Sequence, residues 1–262
     1  VTPKIPKQPQ ATPVKEEKKM SPVLEYMLNH PTTPDALRKT ASELSTEDAE
    51  ELILKYYREE GKNIEGGTIS EASVQLNYMY ELEVFSRQFS ESEDTVVGRV
   101  LDRHPEWKKK IVVNDWTGSM YGYGSQVILW HLMNLETSGI STITLFNDGD
   151  NKPTKRKKIG KTKGIYSAEA DDPAEILELF DEVMRKGGGG DSPENDVEAI
   201  LAAIKNAPNA EIILIADNSA CVRDIALAKE IKRPVRVILC GYKPEEGVNP
   251  DYVYLAKITG GG

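Results

Sequence analysis

The sequence predicts a doubly wound α/β domain with a mostly parallel open sheet and one antiparallel edge strand, preceded by a small helical region. Three observations carry this. After Trp107, short runs rich in Val and Ile alternate with longer segments of helical character, the pattern of a parallel sheet covered by helices on both faces. Before Trp107 the signals are helical. The length of 262 residues, 39% of them hydrophobic and 29% charged, is enough for one sizeable α/β domain plus an appendage.

Residues 1–20, "VTPKIPKQPQATPVKEEKKM", combine Pro, Lys, Gln and Glu with almost no large apolar side chains. Such a composition buries too little surface to offset ordering entropy, so the segment reads as an extended tether, a frayed end being the plainer alternative. A first residue of Val1 rather than Met points to processing or to a trimmed sequence. A tether behind a processed N-terminus fits an extracytoplasmic or cell-envelope-associated protein.

The helical region spans residues 21–107. Ser45 with Asp48 forms a capping-box signature, after which Ala49, Leu52, Ile53, Tyr56 and Tyr57 share one apolar face that Gly61 is expected to end. A second helix carries Tyr78, Leu82, Phe85 and Phe89 on one stripe. A third carries Val97, Val100 and Leu101 and stops near Pro105. Stripes of this kind are packing surface rather than a ligand box.

Residues 108–262 make the α/β domain. Strands are expected over 110–114, 141–146, 164–167, 211–216 and 234–240, and helices over 123–137, 173–186, 193–206, 222–232 and 250–258. The turn-rich piece from 147 to 164 reads as a hairpin that supplies the antiparallel edge strand. Its seven Lys and Arg between Lys152 and Lys163 lack interleaved aromatics and read as a solvated hairpin tip.

Bulk properties exclude several function classes. No apolar run approaches the roughly 20 residues that span a bilayer. The formal charge of −9 argues against nucleic acid as the main partner. The two cysteines, Cys221 and Cys240, lie in neither a CxxC nor a zinc-type spacing, so the chain is neither a disulfide scaffold nor a zinc module. A single bridge between them remains open.

Chemistry concentrates in three loops at strand ends, where open α/β sheets bind ligands. They are "DWTGSM" from Asp115, "GGGGDSPEND" from Gly187, and "IADNSA" around Asp217. Each has a plain reading. Asp115 can end a strand in a turn, Ser192-Pro193-Glu194 matches a helix start, and Asp217-Asn218-Ser219 is a common turn tripeptide. Together they offer an oxygen-only donor set: carboxylates of Asp115, Asp191, Glu194 and Asp217, hydroxyls of Thr117 and Ser119. Hard oxygen donors suit Mg²⁺, with Mn²⁺ or Ca²⁺ as alternatives, rather than zinc. Alternation at 115, 117 and 119 lets one turn direct three side chains to one point, and Gly118 permits the tight path.

These motifs resemble the von Willebrand factor A (VWA) family, a Rossmann-like fold, over roughly residues 108–262. The family's Asp-x-Ser-x-Ser appears as Asp115-Trp116-Thr117-Gly118-Ser119, with Thr at the first hydroxyl position. "GGGGDSPEND" resembles the second loop of members carrying Asp-x-Pro-Glu there, and "ILIADNSA" the third strand and its acid. "YLAKITGGG" resembles the last helix and the Gly pair before a final strand. Many members place a Thr ligand in the second loop, where this chain has Gly190; Glu194 or Asp191 is the candidate replacement.

The resemblance implies a metal-ion-dependent adhesion site: a Mg²⁺ with one coordination position left for a carboxylate of a partner protein. The leading expectation is therefore a cation-dependent protein-binding module, not an enzyme. A second is a structural or scaffold protein of the cell envelope whose metal site is vestigial or only stabilising. A metal-dependent phosphohydrolase is a distant third, because the haloacid-dehalogenase pattern wants an Asp where Thr117 stands. Ser119 lies outside a Gly-x-Ser-x-Gly elbow, and no GxGxxG or GxxxxGK[ST] occurs. None of His30, His104 or His131 falls in these loops to serve as a general base.

Overall fold

The computed structural model of the chain describes residues 20, 22–29, 33–62, 95–205 and 207–262. The expected tether, Met20 apart, lies outside the described residues, as does the helix expected to carry Tyr78, Leu82, Phe85 and Phe89. Two compact units divide the chain, Val1–Glu59 and Glu60–Gly262.

The first unit contains α1 (Pro22–Asn29), α2 (Asp35–Ser42) and most of α3 (Thr46–Lys62). Ser45 caps α3: its hydroxyl accepts the Asp48 N–H at 3.2 Å and donates to the Asp48 carboxylate at 2.7 Å. Ala49 and Ile53, one helical turn apart, are buried. Gly61 does not end this helix, which continues to Lys62.

Among the described residues of the second unit, α4 (Val96–Arg103) buries Val97 and Leu101. Five strands follow: β1 (Lys110–Asp115), β2 (Ile140–Phe146), β3 (Ile165–Glu169), β4 (Glu211–Asp217) and β5 (Val235–Cys240). Their order across the sheet is β3-β2-β1-β4-β5, all neighbours parallel except β2 and β3. Every residue of β1 is buried, as a central strand covered on both faces requires, whereas β3 at the edge is half-exposed. Each strand begins and ends within two residues of its expected bounds.

The covering helices are α5 (Tyr121–Met133), α6 (Pro173–Lys186), α7 (Asp196–Ala203) and α8 (Pro250–Thr259). On one face Ile111, Val113, Ile212, Leu214 and Ala216 share a core with residues of α7 and α8, including Val197, Ile200, Tyr252 and Leu255. On the other face α5 and α6 enclose the fully buried Trp116. Phe180 meets the Trp116 ring edge-on at 5.5 Å between centroids. Gly124 brings α5 against the same ring, and a Cβ there would lie 2.2 Å from it and 2.7 Å from the Asn114 amide. Gly124→Ala should therefore destabilise the protein in urea titrations. Crowding of about 1–3 kcal/mol outweighs the roughly 1 kcal/mol by which Ala is the better helix former.

Three helical segments differ from expectation, the first being α5, which ends at Met133 rather than at 137. The helix expected over 193–206 begins instead at Asp196, so Ser192 and Pro193 are not its cap and first residue. Glu194 sits in an isolated parallel bridge with Val222. Its N–H donates to the Cys221 carbonyl at 2.8 Å, and its carbonyl accepts the Arg223 N–H at 2.7 Å. The cap comes from elsewhere: Asp224 accepts the N–H groups of Val197 and Glu198 at 3.1 and 2.5 Å. The segment expected as a helix over 222–232 is a 3₁₀ run, Ile225–Glu230.

Among the described residues no helix is long and apolar enough to cross a membrane. Cys221 is exposed, Cys240 is buried, and the two are not bridged to one another. After α8, Gly262 pairs with the outer edge of β5, accepting from Val237 at 2.8 Å and donating to Val235 at 3.2 Å.

Candidate functional site

The strand order reverses between β1 and β4, since the chain goes from β1 outward to β2 and β3 and returns to the other side. Such a switch point opens a crevice at the carboxyl ends of the two strands. Asp115 ends β1 and Asp217 ends β4, so both acids flank that crevice. A cleft of about 370 Å³ lies there, lined by Thr117, Ser119, Asp191, Glu194 and Asp217 among others. The three loops singled out from the sequence thus meet at one place.

Each donor is positioned locally. Asp115 is fully buried, and its Oδ1 accepts the Thr117 N–H at 2.8 Å, turning the chain back directly after the strand. Asp217 repeats the device with the Ser219 N–H at 2.8 Å. The Ser119 hydroxyl donates to Asp217 Oδ2 at 2.9 Å, tying the first loop to the third. In the second loop Gly187, Gly188 and Gly189 pack closely, whereas Gly190 faces open space. A Cβ on Gly188 would lie 2.4 Å from the Tyr121 hydroxyl, and one on Gly189, whose φ is +80°, would lie 3.1 Å from Thr117.

Three buried carboxylate oxygens lack a hydrogen-bond partner among the described residues. One is Asp196 Oδ2, which does not line the cleft; the two nearest to it are Asp115 Oδ2 and Glu194 Oε2. Burial pushes the Asp115 carboxyl up to about 7, aided by the charges of Asp217 and Asp148 and opposed by the Thr117 N–H and hydroxyl. Burial likewise pushes Glu194 up to about 10, with the charges of Asp115, Asp148 and Asp196 adding to it. Asp196, fully buried behind them, is raised well above its ordinary value by burial and by Asp115 and Asp224. Its Oδ1 accepts the Tyr252 hydroxyl at 3.2 Å.

Asp191 is different in kind. Its carboxylate is ion-paired with Lys157 and with Arg223 at 3.0 Å. These cations hold it at about 2 in spite of its partial burial. Lys157 and Arg223 also bind Asp148, the latter at 2.7 Å. Asp148 is more deeply buried, and burial raises its carboxyl despite the same two cations.

The basic run is therefore not uniformly a solvated tip. Lys155, Arg156 and Lys158 are exposed, but the Lys157 ammonium is wholly buried between two acids. Asp148, Lys157 and Arg223 were not among the sequence-derived candidates. The only signal for Asp148 was its place in a turn-forming Asn-Asp-Gly-Asp, where it adopts φ 53°.

The described histidines stand apart from the cleft. His131 lies between the Ser138 hydroxyl and the Ala170 carbonyl at 2.7 and 2.6 Å, while His104 stacks on Trp107 and pairs with Glu106. Among the described residues no three His, Cys, Asp or Glu side chains are grouped so as to hold a metal ion by themselves. The donors are mixed: carboxylates of Glu194 and Asp217 and hydroxyls of Thr117 and Ser119 line the cleft, with the buried Asp115 at the end of β1. All are oxygens, which fits a hard cation.

Comparisons with family models, with curated proteins and with solved structures found no match to this chain. Fold and site together define the class: a Rossmann-like α/β domain with an acidic, oxygen-lined cleft at its switch point.

Proposed function

We propose that residues 108–262 are a VWA-type domain that binds a divalent cation, Mg²⁺ with Mn²⁺ or Ca²⁺ as substitutes, and through it a carboxylate of a partner protein. The observation carrying this reading is the pair of buried oxygens without partners, Asp115 Oδ2 and Glu194 Oε2, beside a cleft whose other donors are hydroxyls and a third carboxylate. Buried anions without compensation are costly, and a cation between them removes the cost.

Asp115, Thr117, Ser119, Glu194 and Asp217 would hold the ion. Asp191 is committed to Lys157 and Arg223, so Glu194 takes the second-loop role. Gly190, which stands where many VWA members carry a Thr ligand, contributes no side chain, and the space beside its Cα is open. When bound, the cation supplies positive charge to a partner carboxylate; the chain's own part is to orient the oxygens and limit solvent around them. The role assigned is recognition rather than catalysis.

A second reading, a scaffold protein with a vestigial site, draws on the Ser119–Asp217 hydrogen bond, which satisfies both groups without an ion. Isothermal titration separates the two. The first predicts saturable one-to-one heat with Mg²⁺ or Mn²⁺ that chelator abolishes. Absence of heat with Mg²⁺, Mn²⁺ and Ca²⁺ alike would sink it in favour of the second.

A further inference from the structure

We propose that Arg223 is a positioning residue for the cleft, acting with Lys157 through Asp148 and Asp191 to hold the Glu194 carboxylate where a cation needs it. This inference rests on the cation-binding reading of that cleft.

The four side chains come from three different connections. Asp148 and Lys157 belong to the segment between β2 and β3, Asp191 to the glycine-rich loop, and Arg223 to the loop after β4. Lys157 bridges Asp148 and Asp191, and Arg223 bridges the same two acids. Two acids and two bases cancel, so the quartet holds together without an ion. It also withdraws Asp191 from the donor set.

Arg223 then grips the chain on both sides of the Glu194 side chain. Its guanidinium donates to the Pro193 carbonyl, and its own N–H donates to the Glu194 carbonyl at 2.7 Å. From the other direction the Glu194 N–H reaches the Cys221 carbonyl at 2.8 Å. Glu194 is thus fixed to the third loop by its backbone, while its Oε2 stays unpartnered among the described residues.

Stability alone is a poor reason for this arrangement, because apolar residues of similar volume generally stabilise as well as buried ion pairs. What a guanidinium adds is a rigid planar fork that admits few loop geometries. A residue that orients a first-contact oxygen in this way behaves like the outer partners of metal ligands, whose loss typically costs about 10–100-fold in affinity.

The test is Mg²⁺ titration calorimetry on the full chain as wild type, Arg223→Gln, Arg223→Lys, Glu194→Gln and the Arg223→Gln/Glu194→Gln pair. Amide exchange of the Glu194 N–H in metal-free protein is measured alongside. Arg223→Gln should weaken Mg²⁺ by about 10–100-fold, and Arg223→Lys should recover only part of this because the fork is lost. In the Glu194→Gln background, the Arg223 change should alter affinity by no more than about twofold, since its effect runs through Glu194. Additive losses, or unchanged Mg²⁺ affinity with only a lower melting temperature, would overturn the proposal. If Arg223→Gln does not fold, Asp191→Asn, close in shape, carries the same expectation of weakened Mg²⁺. If wild type binds no Mg²⁺, the cation reading fails. The clamp is then judged by exchange alone: faster exchange at Glu194 in the variant supports it, and unchanged exchange overturns it.

Discussion

Asp115→Asn is expected to abolish Mg²⁺ binding while making the metal-free protein more stable. The two effects share one cause. Asp115 is fully buried, and only its Oδ1 has a hydrogen-bond partner among the described residues. Asn keeps an oxygen to accept the Thr117 N–H and removes a negative charge that the metal-free fold does not compensate. The gain is expected above about pH 7, where the Asp115 carboxyl is ionised, and denaturant titration in chelator would read it there. The charge removed is also the one a cation would use. Altering a residue merely behind a metal ligand costs about 10–100-fold, so losing the ligand itself should exceed that range. Calorimetry with Mg²⁺ gives the second half. A variant that is less stable and binds Mg²⁺ normally would show that Asp115 only terminates β1 in a turn.

The second large effect concerns pH. The Asp115 carboxyl is raised to about 7 and Glu194 to about 10, in both cases chiefly by burial. The fold therefore holds protons that the unfolded chain has released above about pH 4. Stability is then lost as pH rises from about pH 4 for both groups, ending near pH 7 for Asp115 and near pH 10 for Glu194. His131 works in the opposite sense. Burial lowers its pKa, so the fold loses stability as pH falls below the unfolded value of about 6.5.

Mg²⁺ distinguishes the two contributions. A cation at Asp115 and Glu194 displaces their protons, so its affinity rises with pH and its stabilisation is largest where the metal-free protein is weakest. Melting temperatures in chelator should fall between about pH 6.5 and pH 8, above the acidic range in which His131 opposes the trend. Saturating Mg²⁺ should reduce that slope, leaving the part contributed by Asp196 and Asp224, whose carboxyls burial also raises. An identical slope with and without Mg²⁺ would mean that the ion does not sit between these two carboxylates.

Much of the fold was legible as pattern. The Val- and Ile-rich runs of β1, β4 and β5 are continuous because those strands are covered on both faces, and continuity survives in one dimension. The turn residues from Asn147 to Gly164 foretold the single antiparallel pair. The three acidic loops were visible because strand alternation places them at one end of the sheet.

Helix boundaries were less so. Ser192-Pro193-Glu194 satisfies every local rule for a helix start, yet the helix begins at Asp196. Glu194 pairs instead with Val222, and Asp224, far along the chain, supplies the cap. Local preference is worth about 1 kcal/mol at a cap, and a tertiary partner overrides it.

The sequence by itself determined the α/β class, the strand positions and the oxygen-only chemistry of the cleft, because residue type and spacing carry those properties locally. Only the tertiary structure decided which of Asp191 and Glu194 keeps a carboxylate oxygen unpaired. That choice depends on Lys157 and Arg223, cations that read as ordinary surface charges until folding buries one and half-buries the other between Asp148 and Asp191. A charge's partner is set by distances across the fold, and in this chain those partners lie 9 to 75 residues apart.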